Sequence, residues 1–213
     1  MKESSPSSKK ILTKGLPVVI SAPSGAGKST VAIEVSRQFP NILLSVSFTT
    51  RKPREGEENG KHYFFISESE FKAKIKTGDF LEWAEVHGQY YGTPRKPLEE
   101  NMARGLDVIM TIDVQGALSV KRFFPQGVYI FLVPPSWEEL EKRLKQRASD
   151  DGAALNLRLA NARKELSYLS HYDYLVVNDD LEKAVQDVGA ILRAEHARFS
   201  HVDKTKVRII NDL

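Results

Sequence analysis

The sequence contains no cysteine, which excludes disulfide bonds, thiolate zinc sites and cysteine nucleophiles. It also has no apolar run that approaches the roughly 20 residues needed to span a bilayer. No block of like charges stands out, since 31 basic and 28 acidic residues leave a formal net charge of only +3. A general nucleic-acid-binding protein usually carries a larger basic excess. The composition therefore predicts a cytoplasmic protein without membrane or nucleic-acid partners.

The length of 213 residues suits one compact domain with insertions, because a hydrophobic content of 41% is enough for a sizeable core. Residues 1–14 are rich in serine and lysine and have no apolar core, so we expect them to form a disordered leader. The folded domain is predicted to span residues 15–200, and residues 201–213 are predicted to form a C-terminal tail.

A glycine-rich stretch from Ser21 to Thr30 separates an apolar run from a segment with helical spacing. Its glycines let backbone N–H groups point inward, and the first turn of the following helix adds the positive end of its dipole. Lys28 adds a full charge, and the Ser29 hydroxyl can ligate magnesium. The strict G-x-x-x-x-G-K-[ST] pattern fails only at Ala22. The residues predicted to bind nucleotide phosphates are Ala22, Pro23, Ser24, Gly25, Ala26, Gly27, Lys28, Ser29 and Thr30.

Short apolar runs alternate with helical patterns along the chain, which is typical of parallel strands joined by crossover helices. The predicted strands are Pro17–Ser21, Leu43–Ser47, Asp107–Ile112, Val128–Val133 and Tyr174–Val177. The predicted helices are Lys28–Gln38, Pro94–Arg104, Gln115–Phe124, Ser136–Ala148, Ala153–Leu169 and Leu181–Phe199. Five strands rich in Val, Ile and Leu, with helices on both faces, predict a three-layer α/β fold.

Residues 48–92 interrupt this alternation with short strands and one short helix, Glu68–Thr77. We interpret them as a small α+β subdomain inserted into the core. In this segment Arg51 and Arg54 lie three residues apart on a proline-stiffened stretch, and paired arginines suit bidentate contacts with phosphate oxygens. Such a cluster is often only a solvated surface. This one, however, follows the strand that comes after the glycine loop and the helix of that loop, and this position predicts a second phosphate site. The core is predicted to comprise residues 15–47, 93–140 and 161–200.

Residues 141–160 carry Arg143, Arg147 and Arg158 on two predicted helices that are separated by a polar break. Two helices with a polar hinge between them and arginines on one side are what a closing lid needs. The sequence therefore predicts a helical lid.

Asp113 ends one of the predicted core strands. In phosphate-loop enzymes an aspartate at the carboxyl end of a neighbouring strand holds the magnesium ion or its water shell. The alternative is an ordinary cap for the helix predicted to begin at Gln115, and the two roles can coexist.

Spaced blocks of residues extend in order from about Gly15 to Phe199. They are Ser47-x-Thr49-Thr50-Arg51-x-Pro53-Arg54-x-Gly56-Glu57, Gly60-x-x-Tyr63-x-Phe65, Phe80-Leu81-Glu82, Tyr90-Tyr91-Gly92-Thr93, Ile112-Asp113-x-Gln115-Gly116, Pro134-Pro135-Ser136 and Val177-Asn178-Asp179-Asp180. Together with the glycine loop, this combination resembles the guanylate kinase family. The resemblance implies transfer of the terminal phosphoryl group of ATP to GMP, with Mg²⁺ as cofactor. It also implies a three-layer P-loop kinase fold with a five-stranded parallel sheet, an inserted GMP-binding subdomain and a helical lid.

The resemblance also implies a role for individual residues. Those expected to hold the GMP phosphate are Ser47, Arg51, Arg54, Tyr63 and Tyr91. Those expected to read the guanine are Glu82, Thr93 and Asp113. Lys28 and the lid residues Arg143, Arg147 and Arg158 would be catalytic, and Asn178 would lie near the adenine. Ser29 and Asp113 would hold the metal or its waters.

The expectation for Glu82 also follows from chemistry. Guanine presents the N1–H and N2–H₂ donors on one edge, and a carboxylate accepts from both. Adenine presents an unprotonated N1 there, so its binding would leave a buried carboxylate facing a lone pair. A site built to hydrogen-bond a missing group rejects the analogue by roughly 10⁴ to 10⁵.

One departure from the family pattern concerns the metal. The family usually has Asp-x-Asp before the Gln-Gly pair, whereas this chain has Thr111-Ile112-Asp113. Because threonine brings a hydroxyl but no charge, we expect an active enzyme with altered metal dependence. Two other functions stay open at this point: a related kinase with another acceptor, and a non-catalytic module that binds phosphorylated peptides in the GMP pocket. The oligomeric state also stays open.

Overall fold

The computed structural model describes residues 14–86, 88–147 and 152–207, without the side chains of residues 147, 152–154 and 206. Most of the predicted leader, residues 1–13, lies outside the described residues. The same is true of residues 148–151 in the predicted lid hinge and of residues 208–213 in the predicted tail. The expected disorder of the leader therefore stays a prediction.

The elements are labelled in chain order. The strands are β1 (Pro17–Ser21), β2 (Ile42–Leu44), β3 (Phe48–Thr49), β4 (Phe64–Phe65), β5 (Phe80–Val86), β6 (Gln89–Pro94), β7 (Asp107–Thr111), β8 (Val128–Val133) and β9 (Tyr174–Val177). The α-helices are α1 (Lys28–Gln38), α2 (Glu68–Thr77), α3 (Arg95–Ala103), α4 (Val114–Phe123), α5 (Trp137–Arg147), α6 (Gly152–Leu166) and α7 (Leu181–Ala197).

A parallel sheet of five strands, in the order β2-β7-β1-β8-β9, forms the core. The middle strand, β1, pairs with β7 on one side and with β8 on the other. Sequential strands therefore lie on both sides of β1, which places a topological switch point at its carboxyl end. Ligands of such sheets bind in the crevice at this point, and the glycine loop begins there.

Helices cover both faces of this sheet, because successive side chains of a strand point to opposite faces. Val18 and Ile20 of β1 belong to a buried cluster that includes Val31 of α1 and Val188 of α7. Val19 belongs to a second cluster with residues of α3 and α4. Each fully buried aliphatic side chain contributes about 1.5–3 kcal/mol. The predicted three-layer α/β fold is confirmed.

A second, four-stranded sheet has the order β4-β3-β6-β5 and lies almost entirely within the segment of residues 48–92. Its helix, α2, packs on it through stacked rings, with the centroids of Phe71 and Phe80 4.4 Å apart. A capping box formed by Ser67 and Glu70 begins this helix, and Gly78 ends it in the left-handed conformation. These local signals explain why the helix has the predicted bounds.

Several predicted boundaries were too long. β2 ends at Leu44 instead of Ser47, because residues 45–47 carry the chain from the first sheet to β3 of the second. The amide of Ser45 still donates to the carbonyl of Ile109, at 2.8 Å, before the chain leaves. α6 ends at Leu166 instead of Leu169, and after a two-residue turn a short 3₁₀ helix spans Leu169–His171.

Candidate active site

The glycine loop forms a cavity of about 290 Å³, which we call the loop cavity. Gly25 and Gly27 have φ angles of 89° and 88°, a region that other residues rarely adopt. A Cβ atom at Gly27 would also lie 2.4 Å from Nδ2 of Asn178. Gly27 is the N-cap of α1 and offers no capping side chain. The first backbone N–H groups of the helix therefore stay available for an anion.

Lys28 joins the loop to the end of the neighbouring strand. Its ammonium group donates to the carbonyl oxygen of Ile112 at 3.0 Å, and the hydroxyl of Ser21 donates to the same oxygen at 2.9 Å. Burial lowers the pKa of Lys28, although the nearby carboxylates of Asp113, Glu165 and Glu82 oppose this shift. A cation surrounded by acidic groups and held beside a phosphate loop is suited to neutralising phosphate charge.

Asp113 serves as a helix cap, which is one of the two roles that the sequence predicts for it. Its Oδ1 accepts from the amide of Gly116 at 2.8 Å, and α4 consequently begins at Val114 rather than at Gln115. Asp113 also lines two spaces at this edge of the sheet, a cavity of about 300 Å³ and a cleft of about 880 Å³. The cap therefore positions this carboxylate where a ligand group can reach it.

A second cavity, of about 300 Å³, lies between the second sheet and the end of β7. We call it the Glu82 cavity. Residues expected at the GMP site that line it are Ser47, Tyr63, Glu82, Tyr91 and Asp113, and Thr111 lines it as well. The structure thus brings together residues that are far apart in the sequence.

Glu82 is a half-buried acid that lines this cavity. The hydroxyl of Thr93 donates to its Oε1 at 2.5 Å. A Cβ atom at Gly116 would lie only 3.0 Å from its Oε2, so the absence of a side chain at Gly116 makes room for the carboxylate. Burial raises the pKa of Glu82 to about 7, and the neighbouring Asp113 adds to the rise. The carboxylate is therefore under-compensated and suited to a ligand that brings hydrogen-bond donors.

The predicted arginine pair does not converge on one cavity. Arg51 makes a bidentate ion pair with Glu57, at 2.8 and 2.9 Å, and both side chains are less than one fifth exposed. Its guanidinium lies 5.5 Å from the ring centroid of Tyr63, beside the Glu82 cavity. Arg54 is exposed and lines the cleft of about 880 Å³ instead.

Glu57 explains the position of Arg51. One of its oxygens also accepts from the backbone amide of Arg54 at 2.7 Å, so it organises the whole turn. Hydrogen bonds from Arg51 hold the pKa of Glu57 at about 2, and the carboxylate stays ionised at neutral pH. The sequence placed Glu57 in a family block but assigned it no role.

Arg143 and Arg158, two of the three predicted lid arginines, lie in different surroundings. Arg143 donates to Glu139 at 2.9 Å and to the carbonyl oxygen of Asn178 at 3.1 Å. Arg158, on α6, lines a cleft of about 880 Å³ together with Arg54, and we call it the common cleft. The side chain of Arg147 lies outside the described residues.

Asn178 supports the glycine loop. Its side-chain amide donates to the carbonyl oxygen of Ala26 at 2.7 Å, and its backbone amide donates to Val133 at the same distance. The side chain is 8% exposed. Asn178 therefore anchors the glycine loop through Ala26. Its expected position near an adenine stays a prediction.

Glu165 was missed by the sequence analysis. It lies on α6 and lines both the loop cavity and the common cleft. It stands seven residues after Arg158, which places both residues on one face of the helix. That spacing is the only signal in the sequence that could have pointed to it.

The loop cavity, the common cleft and the Glu82 cavity share lining residues. Ser24 and Glu165 border both the loop cavity and the common cleft, and Asp113 borders both the cleft and the Glu82 cavity. A phosphate loop that faces a second polar cavity across one cleft, on this sheet, defines a P-loop kinase.

Comparisons with known proteins identify the family. A family model described as guanylate kinase matches residues 14–195. A guanylate kinase of Clostridium acetobutylicum is 50% identical over 200 residues, which cover 93% of each chain. One of Carboxydothermus hydrogenoformans is 47% identical over 190 residues, 89% of this chain and 93% of that protein. The crystal structure of the guanylate kinase from Anaplasma phagocytophilum superposes with a TM-score of 0.77 at 36% identity, covering 94% of this chain and 96% of that one.

This chain belongs to the guanylate kinase family. The expectations of the family, of the P-loop kinase fold and of a phosphate-transferring enzyme are confirmed.

Proposed function

We propose that this chain transfers the γ-phosphoryl group of ATP to GMP, giving ADP and GDP. The observation that carries the proposal is the position of the half-buried Glu82 in a cavity across one cleft from the glycine loop. The loop is suited to the phosphates of a donor, and the carboxylate is suited to the donor edge of guanine. One cleft can therefore hold both substrates with their phosphates facing each other.

On the donor side, the loop residues from Ala22 to Thr30 surround the phosphates of ATP and bind them through the backbone N–H groups that all of them except Pro23 carry. Phosphoryl transfer spreads negative charge over the equatorial oxygens, so catalysis relies on positioning and on positive charge. Lys28 supplies this charge from the loop. Arg143, Arg147 and Arg158 supply it from the lid, and Asn178 holds the loop beside the adenine.

On the acceptor side, Glu82, Thr93 and Asp113 read the guanine. Thr93 donates its hydroxyl proton to Glu82 and so fixes the carboxylate that accepts from N1–H and N2–H₂. The residues that hold the GMP phosphate are Ser47, Arg51, Arg54, Tyr63 and Tyr91. Because Arg54 lines the common cleft and Arg51 lies beside the Glu82 cavity, GMP binding draws the two guanidinium groups towards one phosphate.

Magnesium fits the oxygen donors of this site. Mg²⁺ keeps several waters and uses one or two protein oxygens together with substrate phosphates. Ser29 has an exposed side chain on the loop, and Asp113 lines the cleft. Within residues 14–86, 88–147 and 152–207, no group of three or more His, Cys, Asp or Glu side chains forms a metal site by itself. When bound, the ion neutralises phosphate charge, and Ser29 and Asp113 would hold it or its waters.

The working arrangement of the chain is part of the proposal. Residues 48–92 bind GMP, residues 141–160 act as the lid, and the remaining segments of residues 15–200 form the core. No helix in the described part of the chain is long and apolar enough to cross a membrane. A cytoplasmic location stays a prediction from composition.

The test is ADP production by the purified protein with ATP and magnesium, with GMP, AMP, CMP, UMP or no acceptor in parallel. We expect rapid turnover confined to GMP, with GDP as the product. Turnover with another acceptor would instead favour a related kinase. Binding of GMP without any turnover would favour a binding module and contradict the proposed reaction.

A further inference from the structure

The side chain of Glu165 reaches into the phosphate loop although no role has been assigned to it. The carboxylate lies near the backbone N–H of Ser24, which opposes the rise in the pKa of Glu165 that burial causes. The residue also lines the loop cavity, together with Gly25, Gly27 and Lys28. An acidic side chain therefore sits in a cavity whose inward N–H groups, helix dipole and lysine all favour anions.

This carboxylate is only partly satisfied where it lies. Its Oε2 is buried and has no hydrogen-bond partner among the described residues. Lys28 attracts the group, whereas Asp113 repels it and burial disfavours its charge. The nearby N–H of Ser24 and the field of Lys28 thus attract an anion that the surroundings do not fully compensate. Such a contact is strong enough to form and weak enough to be displaced by a polyphosphate.

The position of Glu165 links this contact to the lid. The residue stands on α6, on the same face as Arg158, which lines the common cleft. α6 packs against α5 through Leu140, Leu144 and Ala162, and Leu144 contacts the glycine loop beside Gly25. Glu165 therefore joins the loop cavity to the helix that carries a proposed catalytic arginine.

We propose that Glu165 is an internal competitor of ATP: in the nucleotide-free protein its carboxylate occupies the phosphate loop, and the phosphates of ATP displace it. This inference rests on the proposed ATP site in the loop. The competition lowers the apparent affinity for ATP by the fraction of molecules in which the loop is open. If the carboxylate occupies the loop in about 70 to 90% of nucleotide-free molecules, its removal tightens ATP binding about three- to tenfold.

The test is calorimetric titration of ATP with magnesium into the wild type and into Glu165→Ala, Glu165→Gln and Glu165→Asp. Aspartate keeps the charge on the same helix but is one methylene shorter, so it separates the contact from simple charge repulsion. The matched control is Glu100→Gln, an acidic residue on α3 whose partner is Lys96. We expect tighter ATP binding in all three Glu165 variants, wild-type ATP binding in the control, and unchanged affinity for GMP.

A second readout is hydrogen exchange at the amide of Ser24 in the nucleotide-free protein. We expect faster exchange in Glu165→Ala than in the wild type, and slow exchange in both once ATP is bound. Unchanged or weaker ATP binding in Glu165→Ala would overturn the inference, and so would an aspartate variant that binds ATP as the wild type does. Failure of the wild type to bind ATP would contradict the proposed function itself, which distinguishes the two failures.

Discussion

The glycine loop and the Glu82 cavity are both proposed to hold a nucleotide, but they are built by different means. The loop is mainly backbone: two glycines with positive φ, uncapped N–H groups at the start of α1 and an anchoring amide from Asn178. The Glu82 cavity is organised by paired side chains, Glu82 with Thr93 and Arg51 with Glu57.

The surroundings of the two sites differ in the same way. The five-stranded sheet beneath the loop is packed on both faces with aliphatic side chains. The four-stranded sheet beside the Glu82 cavity relies on stacked rings, such as Phe48 with Phe64 at 4.7 Å between centroids. A backbone-built site should tolerate changes of side chain except at Lys28, its glycines, the proposed metal ligand Ser29 and the anchoring Asn178. A site of paired side chains loses function when either partner is changed.

The largest effect is expected at Lys28, the one cationic side chain of the glycine loop. Lys28→Ala should lower turnover on the order of 10³-fold or more, because the cation beside the transferring group is lost. GMP binding should stay detectable, since Lys28 does not line the Glu82 cavity. Steady-state kinetics and GMP titration measure both, with Lys61→Ala on the second-sheet side as control. Loss of the fold would show that the lysine is structural.

The next effect concerns the Glu82 carboxylate. Glu82→Gln should reduce the preference for GMP over AMP about 10- to 100-fold, because one acceptor becomes a donor that faces a donor. The ratio of kcat/KM for the two acceptors measures this. Glu85→Gln, three residues further along β5, removes the same charge at an exposed position and should change nothing. An unchanged preference in Glu82→Gln would show that another residue reads the base.

The raised pKa of Glu82 predicts a pH dependence. Below its pKa of about 7 in the free protein the carboxyl is protonated and accepts fewer hydrogen bonds, so GMP binding should weaken as pH falls. The KM for GMP should rise by up to about tenfold per pH unit below this value. Glu82→Gln should remove this dependence. A KM that stays flat between pH 5 and pH 7 in the wild type would contradict the assignment.

A smaller effect is expected at the partner of Arg51. Glu57→Gln replaces the bidentate ion pair and should raise the KM for GMP about tenfold. The KM for ATP should not change, because the pair lies in the loop between β3 and β4, and neither residue lines the loop cavity. Glu58→Gln is the matched control, since the adjacent residue only pairs with the exposed Lys61. Equal effects of both variants would mean that charge in general, and not this pair, matters.

The smallest effect is expected at Thr111. Thr111→Asp adds a carboxylate at the end of β7, close to Asp113. It should increase the apparent affinity for magnesium about two- to fivefold. Activity measured against magnesium concentration reports this shift. If turnover and magnesium dependence are both unchanged, threonine at this position has no consequence for the metal.

Much of the fold could be predicted from local signals. β1, β8, β9, α1 and α2 have the predicted bounds because β-branched apolar runs, a glycine loop and a capping box act within a few residues. The transition after Leu44 could not be predicted, since residues 45–47 (Ser-Val-Ser) still show the polar and apolar alternation of a strand and leave the first sheet for a second one.

The sequence by itself determined the phosphate loop, the family and the identity of most candidate ligands, since these are carried by residue type and spacing. Only the tertiary structure decided which of them meet. It placed Glu57 on Arg51, Asn178 under Ala26 and Glu165 in the lining of the loop cavity, and it separated Arg51 from Arg54. Arg51, Arg54 and Glu57 share one loop between β3 and β4, whose path depends on hydrogen bonds that residue type alone does not specify. Asn178 and Glu165 reach the glycine loop from other parts of the chain, so their distances depend on the packing of whole helices and sheets.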